Sequence, residues 1–186
     1  KISSKKVKKV VDGDGIDTNP FFSPDGKLIA FESSGNKQEP IGLDDLYVIK
    51  SKGGKPKKLG ETPNRRLNII SWSSNSSHVY VNDVDKTNSE IYKISVKGND
   101  IKPILQEKGR VSSVSLYDKG NKIALVKEQL DKPSEVYISE LNNISPKQIS
   151  NFNSKLKLPV LAKTELINWK SKDGLEIEGI LTYPKN

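Results

Sequence analysis

The sequence almost lacks two residue types that often do nucleophilic, acid–base or metal chemistry, histidine and cysteine. His78 is the only histidine and there is no cysteine, which excludes a thiolate nucleophile, an iron–sulfur cluster and a histidine-rich or thiolate metal site. The nucleophile elbow G-x-S-x-G needs two glycines four positions apart, and no pair among the 13 glycines has that spacing. Because Lys27 and Lys122 occupy positions that match His78, we expect a turn residue there. The sequence predicts no catalytic residue.

One acidic stretch has the beginning of a calcium loop. Asp12-Gly13-Asp14-Gly15 supplies two carboxylates two positions apart. The EF-hand pattern requires a further Asp or Asn at the fifth position and a glutamate near the twelfth, where this chain has Ile16 and Ser23. We therefore predict an ordinary turn, and expect neither a metal nor a cofactor.

Two pairs of adjacent charged residues are candidates for contacts with a peptide. The carboxylates of Asp44-Asp45 suit a cation such as a peptide amino terminus, although Asp45 recurs as Glu90 and Glu135, which favours a structural role. The guanidinium groups of Arg65-Arg66 are able to hold a carboxylate or carbonyl. A solvated connection between two repeats is the favoured alternative for these arginines.

The positive charge does not indicate nucleic-acid binding. The formal charge is +8 over 186 residues, but only three of the 31 basic residues are arginines, whose planar fork suits base and phosphate contacts better than lysine. The scattered lysines predict a solvated surface. The run Lys5–Val11 is basic and partly alternating, which predicts an outer or edge strand whose lysines discourage strand addition.

The sequence has no apolar run of the roughly 20 residues needed to span a bilayer. No apolar block near the start is typical of a signal peptide, and a cytoplasmic location is the expectation. There is no methionine, even at position 1. We therefore expect the chain to be a piece of a longer protein.

The sequence contains a repeat marked by tyrosines. Tyr47, Tyr92 and Tyr137 are spaced by 45 residues and each follows an acidic residue by two positions. Upstream of each lies a turn followed by an apolar strand, and downstream lies a short strand marked by proline, at Pro56, Pro103 and Pro146. Phe22 and Trp72 occupy equivalent places beside two of the turns. Packing between repeats is the expected role of these aromatic residues.

Each repeat reads as four short strands, and no helical apolar stripe is present. In the second repeat the predicted strands are Leu67–Trp72, His78–Asn82, Glu90–Val96 and Ile101–Leu105. Four-stranded antiparallel units of 40 to 50 residues are typical of propeller blades. The sequence predicts an all-β partial β-propeller of about three blades over residues 1–153, with the end of a preceding blade and a loop at 1–19 and blades at 20–63, 64–109 and 110–153.

The C-terminal segment, residues 154–186, does not follow the repeat. It is predicted to be a linker followed by a β-hairpin, with strands over Glu165–Lys170 and Glu176–Pro184 and a turn at Ser171–Gly174. A lone hairpin is marginally stable in water. We interpret this one as the first strands of a further domain.

The order of these elements resembles a known family. Phe22-Ser23-Pro24-Asp25-Gly26-Lys27-Leu28-Ile29-Ala30-Phe31 resembles the propeller repeat shared by TolB and the prolyl oligopeptidase family of serine peptidases. The tail, Trp169–Gly174 followed by Ile177–Leu181 and Pro184, is similar to the segment by which those peptidases leave the propeller and begin their α/β-hydrolase domain. The segments Pro133–Tyr137 and Gln148–Asn153 are similar to the acylaminoacyl-peptidase and dipeptidyl-aminopeptidase branch.

The resemblance implies that the parent protein is a hydrolase with a Ser, Asp, His triad in another domain, for which the propeller gates and selects peptide substrates. This chain alone should be inactive. The expected partners are a peptide, the hydrolase domain and, through uncovered blade faces, a second copy; nucleic acid is not expected. The alternative is a TolB-like propeller that binds proteins as a scaffold and has no enzymatic parent.

Overall fold

The structure is a computed structural model that describes residues 7–35, 43–155 and 162–184. Within these ranges it contains strands and one short 3-10 helix, Asp118–Gly120, but no α-helix. The strands are β1 Asp17–Phe22, β2 Leu28–Ser33, β3 Asp45–Lys50, β4 Lys57–Gly60, β5 Asn68–Trp72, β6 His78–Asp85, β7 Asn88–Ser95, β8 Ile101–Lys108, β9 Arg110–Tyr117, β10 Lys122–Gln129, β11 Lys132–Glu140, β12 Lys147–Gln148, β13 Thr164–Lys170 and β14 Glu176–Thr182.

The strands form three four-stranded sheets and one hairpin. The sheets have the orders β1-β2-β3-β4, β5-β6-β7-β8 and β9-β10-β11-β12, and β13 pairs only with β14 in the described chain. Pairing in the sheets is antiparallel. The predicted fold, an all-β chain of three four-stranded units and a hairpin, is confirmed.

One type of turn joins paired strands at three places in the chain. A serine hydroxyl donates a hydrogen bond to the Asp or Asn two residues later; the serines are Ser23, Ser73 and Ser171. The serine backbone N–H donates over 2.9 Å to a carbonyl at the start of the next strand (Leu28, His78) or just before it (Leu175). Gly26 supplies the positive φ of the first turn, 69°. The third sheet has Tyr117 in place of the serine and turns through the 3-10 helix instead.

Burial along the strands shows which faces are covered. Three consecutive residues of β6, Val79, Tyr80 and Val81, are buried, so both faces of this strand are covered. In β10, Ile123 and Leu125 are buried while Ala124 and Val126 are only half-buried. All six residues of β1 are exposed. The second sheet is therefore the most enclosed.

The chain divides into two compact units. The first contains residues 1–81 and 93–102, and the second contains residues 82–92 and 103–186. The boundary passes through the second sheet rather than between repeats, and the hairpin belongs to the second unit. The predicted bounds of the propeller and of its blades remain a prediction.

Two details of the first sheet differ from expectation. β1 begins at Asp17, inside the segment predicted to be a loop. A bulge between Thr18 and Phe21 and a positive φ at Asn19 interrupt the alternation of its side chains, so the sequence pattern does not indicate a strand there. Phe22, expected to pack between blades, is 66% exposed, whereas its equivalent Trp72 is 7% exposed and donates its indole N–H to the Phe21 carbonyl, 3.0 Å away. No described sheet covers the face on which Phe22 lies.

The N-terminal segment is not a strand over the residues that the structure describes. Residues 7–11 are irregular, and the rest of the predicted outer strand, with Lys5 and Lys6, lies outside the described residues. Val10 and Val11 line an apolar cavity of about 140 Å³ whose other wall is the first sheet, including Ile29, Phe31 and Ile49. Much of the predicted linker, 156–161, also lies outside the described residues.

Candidate functional site

Asp45, the first residue of β3, is bound by two cations. Its side chain is nearly buried, at 2% exposure. Arg65 donates Nε–H to Oδ1 and Nη2–H to Oδ2, each over 3.0 Å, and the Lys58 ammonium lies 2.7 Å from Oδ2. The two-pronged pairing fixes the connection before β5 to the beginning of β3. Since its charge is already compensated, Asp45 is unavailable to a ligand cation.

The same position is acidic in the other two repeats and has the same kind of role. Glu90 accepts hydrogen bonds from the Gln106 amide, 2.6 Å away, and from the Tyr92 hydroxyl. Glu135 accepts from the Ser150 hydroxyl and from the backbone N–H of Asn153, and these bonds, that of Ser150 above all, lower its pKa. In each sheet, this carboxylate connects the third strand to residues that follow that strand in the sequence. The predicted structural role is supported in all three repeats.

Asp44 differs from its neighbour. Its backbone N–H donates to the Arg65 carbonyl over 2.7 Å, but no hydrogen bond from a described residue reaches its half-buried carboxylate. Burial, followed by the charge of Asp45, raises its pKa. Its backbone forms a parallel bridge with Arg66, whose side chain is exposed. Asp44 and Arg66 thus present opposite charges at one junction of the first unit.

The arginines share a structural position. Arg65 and Arg66 are separated from the first strand of the second sheet by Leu67, and Arg110 begins the first strand of the third. Parallel bridges mark the same place in both repeats, Asp44 with Arg66 and Asn88 with Gly109. Arg65 forms an ion pair with Asp45, whereas Arg66 and Arg110 are exposed. Arg110 is not among the residues predicted as candidates, although its place at the start of a repeat was a signal.

His78 lies in the turn that begins β6. Its backbone N–H donates to the Ser73 hydroxyl over 2.9 Å, and its ring Nδ1 is 2.7 Å from the Ser77 hydroxyl. This is the serine turn that Ser23 makes in the first sheet. The structure therefore places His78 as the sequence places it, at a hairpin position; a catalytic role is not indicated.

The acidic stretch at residues 12–15 lies before the first sheet. Asp12 is exposed and pairs with Lys9, and the chain bends at Asp14 and Gly15. Gly15 lies against the Gly35 carbonyl so closely that a Cβ would be 1.6 Å from its oxygen. No group of three or more His, Cys, Asp or Glu side chains in the described part of the chain is arranged to hold a metal ion.

The hairpin carries apolar side chains on both faces. Trp169 lies over Gly179, where a Cβ would be 3.0 Å from the indole ring, and it is still 47% exposed. Leu166 and Ile180 form a cross-strand pair and are also exposed. A two-stranded sheet with two apolar faces and two free edges is typical of part of a larger sheet.

One polar contact holds the hairpin to the second sheet. Glu178 accepts hydrogen bonds from the Thr87 hydroxyl, 2.5 Å away, and the Thr87 backbone N–H, 3.2 Å away, in the turn between β6 and β7. The Thr87 hydroxyl and then its N–H, with a smaller contribution from Lys86, lower the pKa of Glu178. No helix among the described residues is both long and apolar enough to cross a membrane.

Comparison with models of known protein families gives no match. Among characterised proteins, the chain is 27% identical over 124 residues to dipeptidyl-peptidase 5 of Porphyromonas gingivalis, which covers 66% of this chain and 18% of that protein. It is 26% identical over 103 residues to dipeptidyl-peptidase 5 of Trichophyton equinum, covering 54% and 14%. The chain thus spans less than a fifth of the length of these relatives.

Solved structures show the same fold. The isopeptidase AtxE2 matches 97% of this chain with a TM-score of 0.68 at 12% identity, over 26% of its own length. TolB from Acinetobacter baumannii matches 88% with a TM-score of 0.58 at 16% identity, over 40% of its length. Prolyl endopeptidase matches 83% with a TM-score of 0.55 at 13% identity, over 22% of its length.

The relatives named dipeptidyl-peptidase 5 and the propellers among the solved structures are consistent with the predicted resemblance to a partial propeller of the prolyl oligopeptidase family. The three four-stranded sheets are accordingly propeller blades of the type found in TolB and in these peptidases.

Proposed function

We propose that this chain is the non-catalytic propeller portion of a serine peptidase, and that it gates and selects peptides for a catalytic domain carried elsewhere in a longer protein. The observation that carries the proposal is the β13–β14 hairpin, which follows three blades without repeating them. The relatives named dipeptidyl-peptidase support it. A scaffold made only of blades has no use for such a segment.

The hairpin fits the start of a second domain. Its exposed apolar residues, Leu166, Trp169 and Ile180, would be covered by the remaining strands and helices of an α/β-hydrolase sheet. Burying apolar surface of this kind contributes about 25 cal/mol per Å². Glu178 would hold the beginning of that domain to the second blade through Thr87.

Catalysis would take place outside this chain. Acyl transfer by a serine peptidase requires a serine activated by a histidine, and a third group that orients the histidine. The single histidine, His78, lies at a hairpin position beside Ser73 and Ser77, and the sequence contains no G-x-S-x-G. The chain alone is therefore expected to hydrolyse no peptide substrate.

Peptide selection would rest on the exposed Arg66 of the first unit. Its guanidinium group is able to bind a peptide carboxylate through two parallel hydrogen bonds. Asp44, beside Arg66, would add a carboxylate for a peptide amino group. These contacts would orient a peptide without reacting with it.

A fluorophosphonate probe, which labels activated serines, tests the proposal. The natural full-length protein should be labelled, and the 186-residue chain should not. The gene should also continue past Asn186 and encode a G-x-S-x-G sequence. A natural protein that ends here, or one that remains unlabelled although it is folded, would contradict the peptidase proposal.

The second candidate is a TolB-like interaction propeller. The TolB match, which covers 88% of this chain, favours it because the blades fit equally well. It leaves β13 and β14 without a role. The same labelling experiment separates the two, since a scaffold contains no activated serine.

A further inference from the structure

The positive charge of the protein is concentrated in the first compact unit. Lysine and arginine outnumber aspartate and glutamate by 17 to 10 in residues 1–81 and 93–102, but only by 14 to 13 in the second unit. Seven of the eight excess positive charges thus belong to the first unit. A uniformly solvated lysine surface does not predict this difference.

Three segments of the first unit bring lysines together. The Lys8 ammonium donates to the Lys52 carbonyl over 2.8 Å, which places the N-terminal segment against the turn between β3 and β4. The Lys57 ammonium donates to the Lys97 carbonyl over 2.5 Å, which places the turn between β7 and β8 beside β4. We call the surface formed by Lys8, Lys52, Lys55, Lys57 and Lys97 the basic face.

The charges of the basic face are not compensated within the described chain. All five lysines are exposed, and none forms an ion pair with a described residue. Other lysines nearby do: Lys9 pairs with Asp12, and Lys58 pairs with Asp45 and Glu61. The five positive charges are therefore available to an external anion, although the Lys8 and Lys57 ammonium groups also donate to backbone carbonyls.

The chemistry of the basic face distinguishes between polyanions. The turns contain Gly53, Gly54, Pro56 and Gly98 but no aromatic residue on which a base could stack, and no arginine to read a base edge. Lysine is a hydrated point charge on a flexible stem and lacks the planar fork that matches a rigid partner. Anions that move laterally suit these lysines best.

We propose that the basic face binds the surface of a membrane that contains anionic phospholipids. The lipid headgroups are mobile anions that can gather beneath the five lysines. Gly53 and Gly54, with φ of 96° and 138°, have no side chain to hold the turn away from the bilayer. This inference is independent of the proposed peptidase function.

Electrostatic binding of this kind has a characteristic size and salt dependence. Each lysine close to an anionic bilayer strengthens binding by about fivefold. The attraction falls off within roughly 10 Å at an ionic strength of 0.1 M. Removal of three lysines from the basic face should weaken binding by about 100-fold.

Sedimentation with lipid vesicles tests the inference. The chain should bind vesicles made of equal parts phosphatidylserine and phosphatidylcholine, but not vesicles of phosphatidylcholine alone. The variant K52Q/K55Q/K57Q should lose this binding. The matched control K119Q/K132Q/K172Q removes three exposed lysines of the second unit and should retain most of it. Circular dichroism should show that both variants are folded.

Other results would overturn the inference. Equal loss of binding in the two variants would mean that the net charge of the protein alone determines binding. Binding to uncharged vesicles would mean that the lysines are not responsible for it. Binding that persists at about 0.5 M salt would exclude an electrostatic contact. Binding to duplex DNA without binding to anionic vesicles would assign the face to a nucleic acid instead.

Discussion

The Glu32 carboxylate in β2 accepts a 2.7 Å hydrogen bond from the backbone N–H of Ile69 in β5 and so joins the first two sheets. Its other oxygen accepts from the Asn19 amide over 2.9 Å. The side chain is buried, and that burial raises the pKa of Glu32. The buried carboxylate thus supplies the hydrogen-bond acceptor for a backbone N–H group of a strand in the neighbouring sheet.

Substitutions of Glu32 should distinguish its role as a hydrogen-bond acceptor from the effect of its buried charge. Glu32→Ala leaves the Ile69 N–H without an acceptor and should lower the free energy of unfolding by about 1–3 kcal/mol. Glu32→Gln keeps an oxygen acceptor and removes the charge. Because the folded pKa is raised, the folded state favours the protonated form, so wild-type stability is lost as the pH rises through that pKa. Urea unfolding of the three proteins at about pH 4 and pH 7 should show that the free energy of unfolding of the wild type, relative to that of Glu32→Gln, falls as the pH rises; a difference that does not change with pH would contradict it.

Asp83 occupies the position in β6 that Glu32 occupies in β2, since His78 matches Lys27. It is 1% exposed, and its Oδ2 has no hydrogen-bond partner in the described chain, while Oδ1 accepts from the Val84 N–H over 2.7 Å. Aspartate is one methylene shorter than glutamate. We infer that it falls short of the next strand.

Asp83→Asn should therefore stabilise the protein. The substitution removes a buried charge but keeps the acceptor for Val84, and we expect a gain of about 1 kcal/mol or more at neutral pH. Asp85→Asn, at a half-buried position two residues later, is the matched control and should change stability much less. The chemical denaturation midpoint is the measurement. A loss of stability in Asp83→Asn would show that the charge has a favourable partner.

The pairing of Asp45 with Arg65 should be one of the most sensitive points of the first sheet. Asp45→Asn leaves Arg65 without its carboxylate and should cost about 2–4 kcal/mol; buried pairs usually cost more, but Arg65 is 26% exposed. Arg65→Lys should not restore the stability, because lysine cannot make the two parallel bonds. Asp12→Asn, which removes the charge from the exposed pair with Lys9, should cost less than about 1 kcal/mol. Thermal unfolding of these variants checks the order, and a cost for Asp12→Asn equal to that for Asp45→Asn would refute it.

The sequence was sufficient for the repeating parts of the fold. Tyr92 lies in β7 as predicted, and its hydroxyl donates a hydrogen bond to Glu90. A residue that recurs at a fixed period in a repeat is held in the same place of each unit by packing. The hairpin was also predicted, since its strands and its Ser171 turn follow local rules. Elements that follow a local or periodic sequence pattern can be predicted from the sequence alone.

Contacts between distant segments were not readable. Thr87 and Glu178 lie 91 positions apart, and no pattern relates a turn threonine to a hairpin glutamate. The bulge at Asn19 concealed the first residues of β1, because it breaks the alternation on which strand prediction depends. The exposed state of Phe22 depends on what covers the first sheet, which its own sequence position does not reveal.

Exposed apolar residues in and just before the first sheet predict self-association. Phe22 in β1 is 66% exposed and Ile16, which precedes β1, is 67% exposed, and exposed apolar residues of this kind favour burial against a second copy. We expect the apparent mass in sedimentation velocity to rise with protein concentration. Phe22→Ser should reduce the rise, whereas Phe152→Ser, at an 83% exposed position of the second unit, should not. A concentration-independent monomer would exclude this association.

The contact between Thr87 and Glu178 should hold the hairpin in a pH-dependent way. Because the Thr87 hydroxyl lowers the pKa of Glu178, the contact stabilises the ionised form; it is present at neutral pH and is lost as the pH falls through the lowered pKa. Thr87→Val removes the hydroxyl, so the pKa of Glu178, followed by carboxyl NMR, should rise toward its ordinary value. Amide hydrogen exchange in β13 and β14 should become faster in this variant at neutral pH. Thr182→Val, on the exposed end of β14, should change neither quantity. If Thr87→Val leaves both the pKa and the exchange unchanged, the hairpin is held by its apolar contacts alone.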